Sequence, residues 1–193
     1  MPYTQRTYKI VTNRLVIRCY KPADAPMLKK AIDESLPELR LWMPWAIAEP
    51  EPLENKQARL SNIERQFMEG TDFMFGVFSL NETEVLASTG LHTRMEDDAR
   101  EIGYWVHSHH ARRGIATEIV QALMKVAFEI EKLQRLEIRC DERNIGSYRV
   151  AGKAGFTLKE VLPYNMKDVN GVLRNTMVWE ITADKYRKQR LPN

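Results

Sequence analysis

The stretch Glu101-Ile-Gly-Tyr-Trp-Val-His-Ser-His-His-Ala-Arg-Arg-Gly-Ile-Ala-Thr-Glu-Ile119 changes its periodicity halfway. Ile102 to Val106 is an apolar, aromatic run of strand type; a short polar connection leads to Arg112, Arg113 and Gly114, after which the apolar spacing at Ile115, Ile119, Leu123 and Met124 is helical. A helix that starts at a basic, glycine-bearing turn presents unpaired backbone N–H groups and the positive end of its dipole. Gly114 lets a phosphate approach the backbone closely, so the turn is an anion site and the strand–turn–helix points to an enzyme with a phosphate-bearing ligand.

The whole chain is consistent with that expectation. Its 193 residues, 44% hydrophobic and 28% charged, suffice for one core, expected as one domain over 1–193 with its core at 13–182, a short polar lead and a basic tail from Asp184. A net charge of +3 argues against an extended nucleic-acid face and for local positive sites. Cys19 and Cys140 have no metal-site spacing and are expected as reduced, buried thiols. Arg6, Lys9, Arg14 and Arg18 interrupt any signal-peptide core, and no run of eighteen apolar residues occurs, so the expected location is the cytoplasm with no membrane partner.

Around the opening stretch the pattern predicts a strand at 14–20, a helix at 23–36 that Pro37 keeps from continuing, and a loop containing Trp42-Met-Pro-Trp45. A helix at 53–68 precedes a hairpin of strands 73–80 and 85–92. After the helix that runs to about Glu131 come a strand at 135–140, a short helix at 147–154, and a final strand pair at 156–164 and 172–181 turned at Asn170-Gly171. The fold class is α/β with a mixed sheet.

The anion turn lacks the Gly-Lys-Ser/Thr of a nucleotide P-loop and the Gly-x-Gly-x-x-Gly of a dinucleotide fold. It belongs instead to an ordered set: Glu101-Ile-Gly-Tyr-Trp105, Arg112-Arg-Gly-Ile-Ala-Thr117, Asn144-Ile-Gly-Ser147 and Lys153-Ala-Gly-Phe156. That set resembles the GNAT superfamily of acetyl-CoA-dependent N-acetyltransferases, and within it the RimJ/RimL branch that acetylates ribosomal-protein N termini. The resemblance runs from Asn13 to Ile181 and includes Trp42-Met-Pro-Trp45. It implies a central sheet of about seven strands, splayed between the fourth and fifth, with about four flanking helices. Coenzyme A would lie in the splay, its pantetheine along the backbone of Trp105 and Val106 and its pyrophosphate on the N–H groups of Arg112, Arg113, Gly114, Ile115, Ala116 and Thr117. The family's usual Gln or Arg at the first motif position is Ala111 here; backbone makes that contact, so binding is expected to survive the change.

The resemblance also implies direct transfer from acetyl-CoA to an amine, without an acyl-enzyme. Many members protonate the leaving sulfur from a tyrosine four residues past the position of Ser147, but that place is Ala151. The RimL-type alternative is a hydroxyl on the serine itself, so the resemblance implies Ser147 as the general acid, with Asn144 holding the pantetheine; the competing role for Ser147 is a helix cap. The branch's glutamate falls on Met166, so Glu101 is the expected general base and His92 the second candidate. Each has a competing structural role: an ion pair with Arg100 or Arg139 for Glu101, a structural imidazole for His92. Trp42, Trp45 and His92 are expected at the acceptor mouth, the tryptophans competing with a loop packed on the core. No metal is implied.

An α-amine of pKa about 7.7 to 8.0 is roughly a tenth neutral at pH 7, a penalty of about 1 kcal/mol, against about 4.6 kcal/mol for a lysine-like amine. With no strong base in evidence, the expected acceptor is a protein or peptide N terminus, ribosomal by resemblance. A small-molecule amine, or a non-catalytic acyl-CoA-binding or RNA-contacting module, is the alternative. Nucleic acid is expected only through the ribosome, and a homodimer stays open.

Overall fold

The computed structural model describes residues 8–190. The strands are β1 (Lys9–Val11), β2 (Val16–Cys19), β3 (Phe73–Phe78), β4 (Val85–His92), β5 (Ala99–Val106), β6 (Arg135–Asp141), β7 (Thr157–Lys167) and β8 (Leu173–Thr182). The helices are α1 (Ala25–Asp33), α2 (Leu36–Trp42), α3 (Leu53–Glu69), α4 (Ile115–Lys125), α5 (Ile145–Lys153) and α6 (Ala183–Arg190). The strands form one mixed sheet in the order β1-β2-β3-β4-β5-β6-β8-β7, antiparallel except between β5 and β6. The sheet has eight strands rather than about seven because β1 joins its edge; counted from β2, the parallel junction falls between the fourth and fifth as the resemblance implied.

Two further helices exceed the expected set. Pro37 does not prevent a helix at 36–42, because it stands in the first turn of α2, where its missing N–H has no helical partner to lose. Trp42 therefore ends a helix instead of lying in a loop. The basic tail from Asp184 does not simply extend into solvent: 183–190 form α6, since Ala183 and Tyr186 bury against the core and Tyr186 donates a hydrogen bond to Glu129 at 2.6 Å. The polar lead before Tyr8 and residues 191–193 lie outside the described residues.

Strand alternation divides the core in two. Ile17, Phe75, Val77, Leu91, Ile102 and Leu136 face the side packed by α4, with Ile119 and Leu123 among the residues they meet. Val16, Phe78 and Val85 face the side covered by α1 and α3, where Leu28, Ile32, Leu60 and Ile63 close the second cluster. Beneath this second layer, Arg18 is buried with its guanidinium bonded twice to Asp24, at 2.8 and 2.9 Å, and to Glu82. The Asp24 carboxylate also receives the Lys21 N–H at 2.8 Å, fixing the turn into α1.

Removing one partner of a buried ion pair leaves the other desolvated and uncompensated. Asp24→Asn is expected to destabilise the fold by about 3 kcal/mol in urea unfolding followed by circular dichroism.

Candidate active site

The β5–β6 junction holds only three residue pairs, Ala99↔Arg135, Arg100↔Leu136 and Glu101↔Glu137. Beyond them β5 stays with β4 as far as Val106 and β6 stays with β8 as far as Asp141, so the two strands diverge. The gap belongs to a cleft of about 1330 Å³ that reaches from Trp42 and Trp45 to the turn at Arg112–Thr117. Because β5 alternates, the cleft has two chemically different walls.

On the α1–α3 side lie Glu101, Gly103 and Trp105, each opposite a β4 partner: His92, Gly90 and Ser88. Asp72, just before β3, continues the register in which Phe73 meets Leu91, and its two carboxylate oxygens lie 3.0 and 3.1 Å from His92 Nδ1. Burial pushes the Asp72 carboxyl up, but the hydrogen bond and charge of His92 outweigh it and hold the group below the usual carboxylate range. An ionised carboxylate can only accept, so Nδ1 donates and Nε2 is the ring nitrogen left to exchange a proton. That edge of the ring lies over two glycines. A Cβ on Gly90 would come within 2.7 Å of Nε2 and one on Gly103 within 3.0 Å, so both glycines are required by the ring's position. Glu101 pairs with Arg94 at 3.3 Å and with Arg139 at 4.0 Å. Arg100, its other expected partner, bonds instead to main-chain oxygens, including those of Asp97 and Ala99. Trp45 packs against Trp105 with ring centroids 6.3 Å apart, and Trp42, Trp45 and His92 all line the cleft.

The α4 side carries the other group. The Tyr104 hydroxyl lies 3.0 Å from Ser147 Oγ and 3.2 Å from the Ser147 carbonyl oxygen. Burial raises the Tyr104 pKa, so the phenol stays neutral, and the buried Cys140 thiol beside Ser147 is raised for the same reason. The cap of α5 is Asn144, whose Oδ1 accepts the Ser147 N–H at 3.0 Å. Ser147 is thus not the helix cap; its hydroxyl is turned toward Tyr104 and the cleft.

At the far end, Gly114 is left-handed with φ +78° and Arg112 with φ +62°, and α4 starts without a side-chain cap. The first N–H groups of α4 have no helical acceptor, and Arg112, Gly114, Ile115, Ala116 and Thr117 line the cleft, so the turn fits an anion. Arg14 anchors it from the side, donating to the Arg113 carbonyl at 3.0 Å and pairing with Glu118. Beyond Glu101 the inner edge of β5 has no strand partner among the described residues, so a ligand carrying amides can bond to it around Trp105 and Val106.

Of the residues expected from sequence, Glu101 and His92 share one wall, Ser147 and Asn144 the opposite one, and Arg112 and Gly114 to Thr117 line the far end, with Arg113 outside the lining. Sequence reasoning missed Asp72, Arg94 and Tyr104. The signal for Tyr104 was the alternation from Glu101 to Val106, which puts it on the face opposite Glu101; Asp72 was hidden because its partner is twenty residues away across a hairpin.

Residues 14–157 match the family model described as an acetyltransferase (GNAT) domain. Among curated proteins, the chain is 29% identical over 131 residues to the probable N-acetyltransferase YjcK of Bacillus subtilis, covering 67% of this chain and 72% of that one. It is 34% identical over 91 residues to the ribosomal-protein-serine acetyltransferase of Escherichia coli, covering 47% and 45%. Among solved structures, RimL, a ribosomal L7/L12 alpha-N-protein acetyltransferase in complex with coenzyme A, superposes with a TM-score of 0.82 at 21% identity, covering 91% of this chain and 98% of that chain. The match over most of the sequence, on a sheet splayed where the motifs required, makes this chain a member of the GNAT family of acetyl-transferring enzymes.

Proposed function

We propose that this enzyme transfers acetyl from acetyl-CoA directly to the N-terminal α-amine of a protein, a ribosomal protein being the first candidate. The observation that carries the reading is the placement of an Asp72–His92 pair with Glu101 on one wall of the splay and a Tyr104–Ser147 pair on the other. The relatives named as ribosomal-protein acetyltransferases support the choice of acceptor.

Acetyl-CoA supplies a thioester carbonyl and a thiolate leaving group. The chain's residues do the rest. Backbone N–H groups of the 112–117 turn hold the pyrophosphate, and the unpaired edge of β5 at Trp105 and Val106 aligns the pantetheine, with Asn144 beside it. The acceptor ammonium is drawn to Glu101 between the tryptophans and the sheet. His92 Nε2, its lone pair fixed by Asp72, takes the proton as the amine becomes nucleophilic. Ser147 Oγ–H, oriented by Tyr104, hydrogen-bonds the leaving sulfur and relays a solvent proton to the thiolate, since neither hydroxyl is acidic enough to be the net source. A base no stronger than an imidazole suits an α-amine, which costs about 1 kcal/mol to deprotonate at pH 7, better than a lysine amine at about 4.6 kcal/mol.

The proposal is tested with purified enzyme, acetyl-CoA and a panel of peptides, α-blocked lysine peptides and polyamines, following thiol release and product mass. Peptides with a free α-amine are expected to lead; preference for polyamines would move the activity to small amines. Mass spectrometry of ribosomal proteins from a strain lacking the chain should then show an unacetylated N terminus.

His92→Gln is expected to lower kcat by about 100-fold, with KM for acetyl-CoA unchanged. Asp72→Asn, which allows the wrong tautomer, should lower kcat in the same direction without affecting KM for the donor. Glu101→Gln should raise KM for the peptide more than it lowers kcat. Ser147→Ala should reduce kcat by about 10- to 100-fold, and Tyr104→Phe by less, since it removes only the orientation of the hydroxyl. An unchanged kcat in Ser147→Ala would remove Ser147 from the chemistry.

A further inference from the structure

The sequence His107-Ser-His-His110, at the end of β5, has no part in the reading above. His107 is 3% exposed, and neither ring nitrogen makes a hydrogen bond among the described residues. A buried imidazole without partners is costly, and most such groups in proteins are satisfied. Its ring lies 4.9 Å from that of His109 and 5.3 Å from that of His110. Glu34, which follows α1, completes the surroundings: its Oε2 is 3.1 Å from His107 Nε2 and 3.7 Å from His109 Nδ1.

We propose that Glu34, His107 and His109 form a site for a first-row transition metal of the zinc type, with solvent as a fourth ligand. One donor atom from each of the three residues falls within a common 4.8 Å span. In tetrahedral zinc, bonds of about 2.0 to 2.1 Å place neighbouring donor atoms about 3.3 to 3.4 Å apart, and the 3.1 and 3.7 Å separations bracket that edge. The misaligned contact of His107 Nε2 with Glu34 fits this as well. A hydrogen bond needs N–H to point along the line to oxygen, whereas two ligands need their lone pairs to meet at a third point off that line. Imidazole and carboxylate donors select zinc, cobalt, nickel or copper over calcium and magnesium, which favour oxygen.

The frame is rigid. The His107 N–H donates to the Leu86 carbonyl at 2.9 Å, and the Ser108 N–H donates to Ser35 Oγ at 3.0 Å. The Ser108 hydroxyl donates to the Glu34 carbonyl at 3.0 Å, so the end of α1 and the histidine turn are tied together. Lys30 Nζ, 4.0 Å from Glu34 Oε1, is exposed and faces the other carboxylate oxygen. A second triad, Glu84, His107 and His110, shares the buried ring. There, however, His110 Nε2 and Glu84 already satisfy one another at 2.8 Å. The Glu34 triad has no such internal hydrogen bond, so it is the better site.

The test is titration of tag-free full-length protein with Zn²⁺ alone by calorimetry, and with Co²⁺ by visible absorption, which reports tetrahedral coordination. Wild type is expected to bind one equivalent with micromolar or tighter affinity. His109→Ala and Glu34→Gln should each weaken binding by at least about tenfold, while the double variant Glu84→Gln/His110→Gln stays near wild type. His109 is exposed and Glu34 lies just past a helix end, so both variants should fold, with unchanged far-ultraviolet circular dichroism. Absence of saturable binding would overturn the site, as would binding indifferent to His109→Ala and Glu34→Gln. Loss confined to the Glu84/His110 variant would overturn the assignment to Glu34 and His109.

Discussion

The active site depends on an interrupted ladder. β5 and β6 are joined for three residue pairs and then each follows its outer neighbour, β4 on one side and β8 on the other. Inside a sheet, unpaired backbone N–H and C=O groups are costly unless something else bonds to them. Here they border a cleft, where solvent or an amide-bearing ligand can do so. The same interruption makes a central strand accessible from both faces, which an intact sheet would never allow. The imidazole of His92 and the hydroxyls of Tyr104 and Ser147 thereby sit on opposite walls of one gap.

Alternation along β5 distributes the chemistry. Glu101, Gly103 and Trp105 look toward α1–α3, while Ile102, Tyr104 and Val106 look toward α4. The small residue at 103 matters as much as the large ones, because with Gly90 it leaves the room that the His92 ring occupies. Nearby, Glu137 is almost fully buried yet meets Arg135, Arg139 and Lys159, at 3.0, 2.9 and 3.2 Å. Arg139 is shared with Glu101, so the wall that carries Glu101 belongs to a continuous charge network that starts at the junction itself.

The architecture was readable where local pattern decides it. The strand-to-helix change at Gly114 and the hairpin at 73–92 pointed to the α/β fold, and β4 begins and ends where alternation put it. What escaped depends on register or on tertiary packing. Asp72 follows a glycine and a threonine like any loop residue, and becomes an orienting carboxylate only because β3 pairs with β4 in one particular frame. Tyr104 shares its strand with Trp105, and only the position of α5 places Ser147 against it. Helix α6 looked like a solvated tail because charge dominates its composition; two buried residues were enough to dock it. The histidines at 107, 109 and 110 looked like a polar connection, since no linear spacing reveals that Glu34 comes to meet them.

The shortness of the β5–β6 junction also bears on how the molecule assembles. β3, β4 and β5 form one meander of neighbouring segments, and β6, β7 and β8 form a second group within the last third of the chain. Each can develop largely from contacts between nearby parts of the sequence, which carry little loop-closure cost. The two groups meet through three strand pairs and the crossing helix α4, so the catalytic gap is a seam between two separately organised units. Because only those three pairs join the two groups strand to strand, the width of the cleft is set by how the groups sit against each other, while each keeps its own ladder intact.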